Sequence, residues 1–352
     1  GEIVEFAMPE VRPPSIPEEH IVGELLGNFD DEYGGFGSGT KFPSHTTLLF
    51  MAYYYDAMKN EAVERMLTMT LDAIVRGGLQ DHLQGGFFRY CVDRRWIYPH
   101  FEKMAYDQGM LIWVFSLAYR LFSKEIYRMA VEKLVRCLEE TFECGGLFMA
   151  GIDADTDHAE GGTYLWSEDE IRSVLDDERY ERFLGIYAFP GEGKMHGRNH
   201  LVKKYPGYAL DLEAMLLQRR RQRRQPEGDR LVVTSWYCLI ASGLIHAARY
   251  LGDQRCFETA RRIYERLLQT HCDGDLVYRA SFDGRVHRVR TLEDHAAMLL
   301  LTTFLHEDAG GYEREMEMLF RSMQTFRHGT VWMETVGGDF KDIPAQLNDY
   351  SM

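Results

Sequence analysis

Gly85-Gly86-Phe87-Phe88 is one copy of a glycine–aromatic signature that recurs as Gly34-Gly35-Phe36, Gly145-Gly146-Leu147-Phe148 and Gly337-Gly338-Asp339-Phe340. A weaker copy is Gly274-Asp275-Leu276-Val277-Tyr278. The first glycines of successive copies are 51, 60, 129 and 63 residues apart, the long gap being two periods. A period of about 50–65 residues accommodates two long helices with their loops. Each unit therefore reads as a helical hairpin ending in a tight glycine turn and an aromatic plug, the glycines supplying backbone angles that other residues resist. Open helical solenoids repeat at about 34–47 residues. The longer period and the large loops favour an all-α fold, an α/α toroid of five to six hairpins around a central funnel.

Helical apolar spacing supports the pairing. Residues 45–59 and 62–76 form one pair and residues 99–122 and 124–142 a second. After a middle region with a short helix from Ser167 and a polar helix over 211–224, the pairing resumes at 234–251 with 254–271 and at 292–306 with 312–328. Ser167-Glu168-Asp169-Glu170 has the spacing of a capping box. Residues 186–210 read as irregular loop. Short alternating stretches at 87–90, 163–166 and 276–280 predict small ribbons on one rim. The proline-bearing residues 1–27 are expected to be an extended arm or linker, leaving 28–352 as one toroid domain. The tail after Gly329 holds no complete helical pattern.

Composition narrows the function. The 352 residues carry 40 Lys+Arg against 55 Asp+Glu, a net charge of −15, which disfavours nucleic-acid or anionic-membrane binding because both need a positive field. No apolar run approaches the length of a membrane span, and no secretory leader pattern opens the sequence. Six cysteines are scattered without a Cys-x-x-Cys pair, which predicts free thiols and a reduced, cytoplasmic compartment. No nucleophile elbow, Walker loop, dinucleotide fingerprint or zinc motif is present, so no cofactor or metal is expected.

The densest chemistry lies at residues 80–110, QDHLQGGFFRYCVDRRWIYPHFEKMAYDQGM. Pro99 suits a first helical position, which would put His100, Glu102 and Lys103 in the first turn and His100, Lys103 and Asp107 on one face. A helix start lowers the pKa of a nearby carboxylate or histidine and could set a base near neutrality. Asp81, Arg89, Tyr90, Trp96 and Tyr106 complete the cluster as candidate substrate contacts. A second cluster runs from Asp153 through Asp155 and Asp157 to Glu160. It begins like a calcium loop but has His158 where glycine is needed and Tyr164 where glutamate is needed. It reads instead as a rim loop presenting Asp153, Asp155 or Glu160 to the funnel. The run Arg219–Arg224 reads as a solvated basic helix end. Asp294 and His295 open a later helix, where capping accounts for Asp294.

At these residues the chain resembles the thioredoxin-domain-containing, spermatogenesis-associated family, in the helical domain that follows its thioredoxin-like module. The matching stretches are Gly34–Pro43, Gly85–Tyr90, Trp96, Pro99–Met104, Tyr106-Asp107, Asp153-Ala154-Asp155, Glu160-Gly161, Tyr164, Trp166 and Gly197-Arg198-Asn199. The resemblance implies an α/α toroid similar to six-hairpin glycosidases and N-acylglucosamine 2-epimerases. It adds Trp166, Arg198 and Trp236 to the substrate contacts, with Asp294 and His295. The thioredoxin-like module is expected to be missing, so no redox role carries over. This chain departs from the family pattern at Phe88, Gln108, Arg230, Tyr237 and His295, positions expected to line the funnel.

Two functions follow. The first is an enzyme acting on a sugar, glycosidase-like or epimerase-like. His100, Glu102, Asp107, Asp155 and Glu160 would do the acid–base work, and Arg89 or Lys103 would hold an oxyanion. The second is a ligand-binding or protein-docking scaffold with an eroded site.

Overall fold

The computed structural model describes residues 17–144, 146–189, 195 and 197–335. The last glycine signature, Gly145 of the third and residues 1–16 lie outside them. Twelve α-helices are described: α1 (Glu18–Asn28), α2 (His45–Met58), α3 (Glu61–Arg76), α4 (Ala105–Phe122), α5 (Glu125–Cys137, continued by a π-helical turn over Leu138–Phe142), α6 (Glu168–Val174), α7 (Asp177–Ile186), α8 (Leu210–Arg220), α9 (Thr234–Leu251), α10 (Gln254–His271), α11 (Leu292–Ala309) and α12 (Glu313–Gln324). Four hairpins are regular: α2/α3, α4/α5, α9/α10 and α11/α12. The middle of the chain holds three short helices, α6–α8, around a separate apolar cluster of Trp166, Ile171, Tyr180, Phe183 and Leu212. All described strands are two or three residues long. The architecture is an α/α toroid with small ribbons.

Inner and outer helices differ as burial requires. Every residue from Ala105 to Ala118 of α4 is buried, as is every residue from Tyr237 to Ala247 of α9. A helix apolar on all sides must be enclosed by others. By contrast α10 buries one stripe, Cys256, Ala260, Ile263, Tyr264 and Leu267, and faces solvent with its arginines and acids. The inner helices touch in the order α2, α4, α9, α11. Side-chain caps fix several helix starts: Asn60 accepts from Ala62 and Val63 amides, Thr291 accepts from the Asp294 amide, and Ser167 with Glu170 forms the full capping box.

The closest crossing is between α4 and α9. A Cβ on Gly109 would lie 2.6 Å from Ile240 Cα, and one on Gly243 would strike the Gly109 carbonyl. Gly109→Ala is expected to cost about 1–3 kcal/mol, because rigid backbone must separate to admit it; urea unfolding checks this.

The glycine signatures have a packing cause. Gly35 sits at φ +76° with its α-carbon against Trp96, whose ring would be 2.7 Å from a Cβ there. Trp96 is fully buried and its indole N–H reaches the Gly34 carbonyl at 3.3 Å. It is therefore a core plug, not a substrate contact.

Three sequence expectations are corrected. Residues 18–28 are helical rather than extended, anchored by buried Val22. The helix expected from Pro99 starts at Ala105. Before it, Pro99–His100 pairs with Tyr90–Cys91, and Lys103–Met104 pairs with Gly151–Ile152. Ribbon hydrogen bonds, such as Arg89 N–H to the Glu102 carbonyl at 2.9 Å, hold this segment extended. His100, Lys103 and Asp107 thus share no helical face. A further helix, α7, lies where no separate helix was expected. Among the described residues no helix is long and apolar enough to cross a membrane.

Candidate functional site

The first turns of four inner helices meet at one rim. His45 is the first residue of α2, Asp107 lies in the first turn of α4, Trp236 in that of α9, and Asp294 in that of α11. Side chains link them in series. His45 Nε2 is 3.1 Å from Asp107 Oδ1. Tyr106 and Trp236 rings lie 4.9 Å apart. The Ser235 amide donates to Asp294 Oδ1 at 3.0 Å. Ser44 takes a left-handed backbone, φ +40°, immediately before His45.

A cavity of about 430 Å³ opens here, walled by Phe42, Pro43, Ser44, His45, Arg89, Tyr90, Tyr106 and Asp107. Burial pushes the Asp107 carboxyl up from its ordinary range, while the imidazole of His45 and the guanidinium of Arg89 pull it back. Asp107 Oδ2 and His45 Nε2 are both buried without an aligned hydrogen-bond partner, so the two side chains meet as a close ion-pair contact. Behind the wall runs a polar chain. Arg89 donates to Glu102 at 3.0 Å, Glu102 lies 3.9 Å from His100 Nε2, and His100 Nδ1 meets Glu160 at 2.7 Å. His100 also stacks on Tyr90 at 5.2 Å, whose ring faces Phe42 at 4.9 Å.

The structure thus brings Asp107, Arg89, Tyr90 and Tyr106 to the cavity wall and Glu102, His100, Glu160 and Trp236 close behind it. It separates the rest. Lys103 is fully buried, bound to Asp81 at 2.7 Å, and Arg220 clamps the same carboxylate with two 2.8 Å bonds. Neither Lys103 nor Asp81 can touch substrate. Two arginines of the basic run are structural too. Besides Arg220, Arg223 caps the Thr163 and Leu165 carbonyls and lies 3.9 Å over the buried Trp166 ring. Trp166 is therefore core. Arg198 pairs with Glu170 at 2.6 Å, outside the cavity wall. Asp153 and Asp155 are exposed, one just before and one at the start of the 155–160 ribbon, and the Asp155 amide donates to the Asp153 carboxylate. Asp294 is buried, its carboxyl raised to about 6 by that burial, and holds helix starts together. His295 is buried as well. Its Nε2 accepts from the Val277 amide, so its Nδ1 carries the proton donated to the Thr291 carbonyl.

The departures from the family pattern do not line the cavity. Phe88 is buried among Phe101, Tyr164 and His200. Gln108 clamps both backbone groups of Phe87 at 2.8 and 2.9 Å. Tyr237 is buried, its hydroxyl accepting from the Phe148 amide, and Arg230 is exposed. Sequence reading missed Phe42 and His45. Their signal was a histidine at the first position of a helix directly after Lys41-Phe42-Pro43-Ser44. Among the described residues no group of three or more His, Cys, Asp or Glu side chains is placed to hold a metal.

No family model matches the chain. Spermatogenesis-associated protein 20 of Mus musculus is 28% identical over 278 residues, covering 66% of this chain and 35% of its own length. The Homo sapiens protein of the same name is 28% identical over 283 residues, 67% of this chain and 36% of its own. The chain thus spans about a third of the length of these curated relatives. Among solved structures, a D-mannose isomerase superposes with TM-score 0.60 at 11% identity, covering 91% of this chain and 72% of the other. An inactive α-1,6-mannanase variant from Salegentibacter sp. superposes with TM-score 0.50 at 12% identity, covering 91% and 74%. Over the matched region the chain is similar in sequence to spermatogenesis-associated protein 20, and it shares the α/α-toroid fold of these two solved structures.

Proposed function

We propose that the protein acts on a carbohydrate by proton transfer next to a sugar carbonyl, as an isomerase or epimerase. The observation that carries this is the buried His45–Asp107 pair in a cavity wall that also holds Arg89. In the proposed step the C–H bond beside the carbonyl breaks and its proton passes to the His45 imidazole. The electron pair moves into an enediolate whose oxyanion faces Arg89. Transfer of the hydroxyl proton to the oxyanion and return of the carbon-bound proton from His45 to the neighbouring carbon give the isomer, while delivery of a proton to the original carbon from a donor on the opposite face gives the epimer. Asp107 orients the imidazole and balances the charge it gains. His100, held by Glu160 and close to Glu102, supplies a second titratable group just behind the wall.

Hydrolysis fits less well. It needs two carboxyl groups free to flank a glycosidic bond, about 5–5.5 Å apart for retention or 6.5–9.5 Å for inversion. Here Asp107 is engaged with His45, Glu102 with Arg89 and Glu160 with His100.

The test is incubation of aldoses and ketoses with the protein in D₂O, read by NMR. Deuterium entering at the carbon next to the carbonyl is the expected result. Sugar binding without exchange or turnover would favour the scaffold function, and release of a reducing sugar from a glycoside would favour hydrolysis.

A further inference from the structure

The cavity has a charge character that selects among sugars. Its one wall cation, Arg89, is already matched by Glu102 at 3.0 Å. Around the joined helix starts stand Glu160, Glu293 and Asp294 with Asp107, and the guanidinium nearest to Asp294 is Arg279 at 3.2 Å. The partial positive charge of two of the four helix starts, those of α4 and α11, is answered in the same turns by Asp107, Glu293 and Asp294, while α2 and α9 carry no acid there. A phosphate or carboxylate entering here would meet the Asp107 carboxylate in the wall, and among the described residues no unmatched Lys or Arg lines the wall to receive it. The −15 net charge opposes its approach as well.

Two further features describe what the site can receive. Asp107 Oδ2 is an acceptor without a partner, on a residue only 2% exposed, in the cavity wall. Leaving such an atom unsatisfied is costly, and a ligand hydroxyl or ammonium would satisfy it. Phe42 is a large apolar ring left 50% exposed at the edge of the same cavity, tilted over Tyr90. A ring so placed can take the apolar face of a pyranose.

We propose that the site takes uncharged or amine-bearing sugars, seated on Phe42 with one donor on Asp107, and excludes phosphorylated and uronate sugars. This rests on the carbohydrate function proposed above and adds its substrate class.

Titration calorimetry of the full chain tests it, using D-mannose and D-glucose, their 2-amino and 6-phosphate derivatives, and the corresponding uronates. Each anionic derivative is expected to bind at least tenfold more weakly than its neutral parent, and the amine no more weakly than the parent. Phe42→Ala is expected to weaken the neutral sugar about tenfold without moving the thermal midpoint, since the ring is half in water. An anionic derivative binding as tightly as its parent, or an unchanged affinity in Phe42→Ala, would overturn the proposal while leaving a carbohydrate site standing. Failure of every sugar to bind would overturn the carbohydrate function and this proposal with it.

Discussion

Asp81→Ala is expected to destabilise the fold by about 3–5 kcal/mol, because it leaves the buried cations of Lys103 and Arg220 facing each other without a counter-charge. Both are in the core, and both bind the Asp81 carboxylate at 2.7–2.8 Å. The loss would reach beyond one contact. Lys103 holds the extended segment before α4, through the Gly85 carbonyl as well as Asp81, and Arg220 ends α8. Removing Asp81 therefore frees both the glycine turn and the middle helices from the inner ring. Urea unfolding measures the change, and a loss below about 1 kcal/mol would refute the argument, being the size of an exposed ion pair. The pH dependence has a definite sign. The two cations hold the Asp81 carboxyl well below the ordinary carboxylate range. Its contribution is thus fully present above the unfolded value of about 3.9 and is lost as the pH falls toward the folded value. The acid limb of stability should flatten in the Asp81→Ala protein.

The second large effect is on turnover. His45→Ala and Asp107→Asn are each expected to lower the rate of the sugar reaction by about 10²–10⁴, the usual contribution of a positioned acid–base group. The two variants should differ in stability. Burial raises the Asp107 carboxyl, so the folded state holds its proton more tightly than the unfolded chain. That carboxyl therefore weakens the fold as the pH rises above about 3.9. Asp107→Asn removes the ionisable group at constant shape, so at neutral pH it should leave the protein as stable or more stable while turnover falls. A variant equally stable and fully active would show that the pair is only a packing feature. Thermal denaturation beside the NMR assay separates these outcomes.

The fold was legible because it is repetitive. Gly35, Gly85 and Gly86 mark turns that pack against fixed partners, and the apolar spacing of α9 and α10 matched the structure at both ends. The site was legible only in part. Arg89, Tyr90, Tyr106 and Asp107 reach the cavity, and a short window of sequence already joins them. The misplaced residues failed for one reason. Pattern reading treats a charged side chain as facing solvent or substrate, yet Asp81, Lys103 and Arg220 are charged, buried and mutually satisfied across a sequence separation of 139 residues. Nothing local in the sequence signals such a partner. Trp96 and Trp166 were misassigned likewise, since an indole that packs a core reads the same as one that stacks on sugar. His45 was missed because its partner, Asp107, lies on a different hairpin.

The helix starts that meet around the cavity belong to residues 45, 105, 234 and 292. During synthesis, the ribosome releases the His45–Asp107 half long before it releases the segment bearing Asp294. A nascent chain stalled between them would carry the cavity wall, residues 42–107, without the α9 and α11 starts that join the same rim. A ligand that bridges the rim would therefore act as a late clasp, favouring the chain in which all four hairpins are docked.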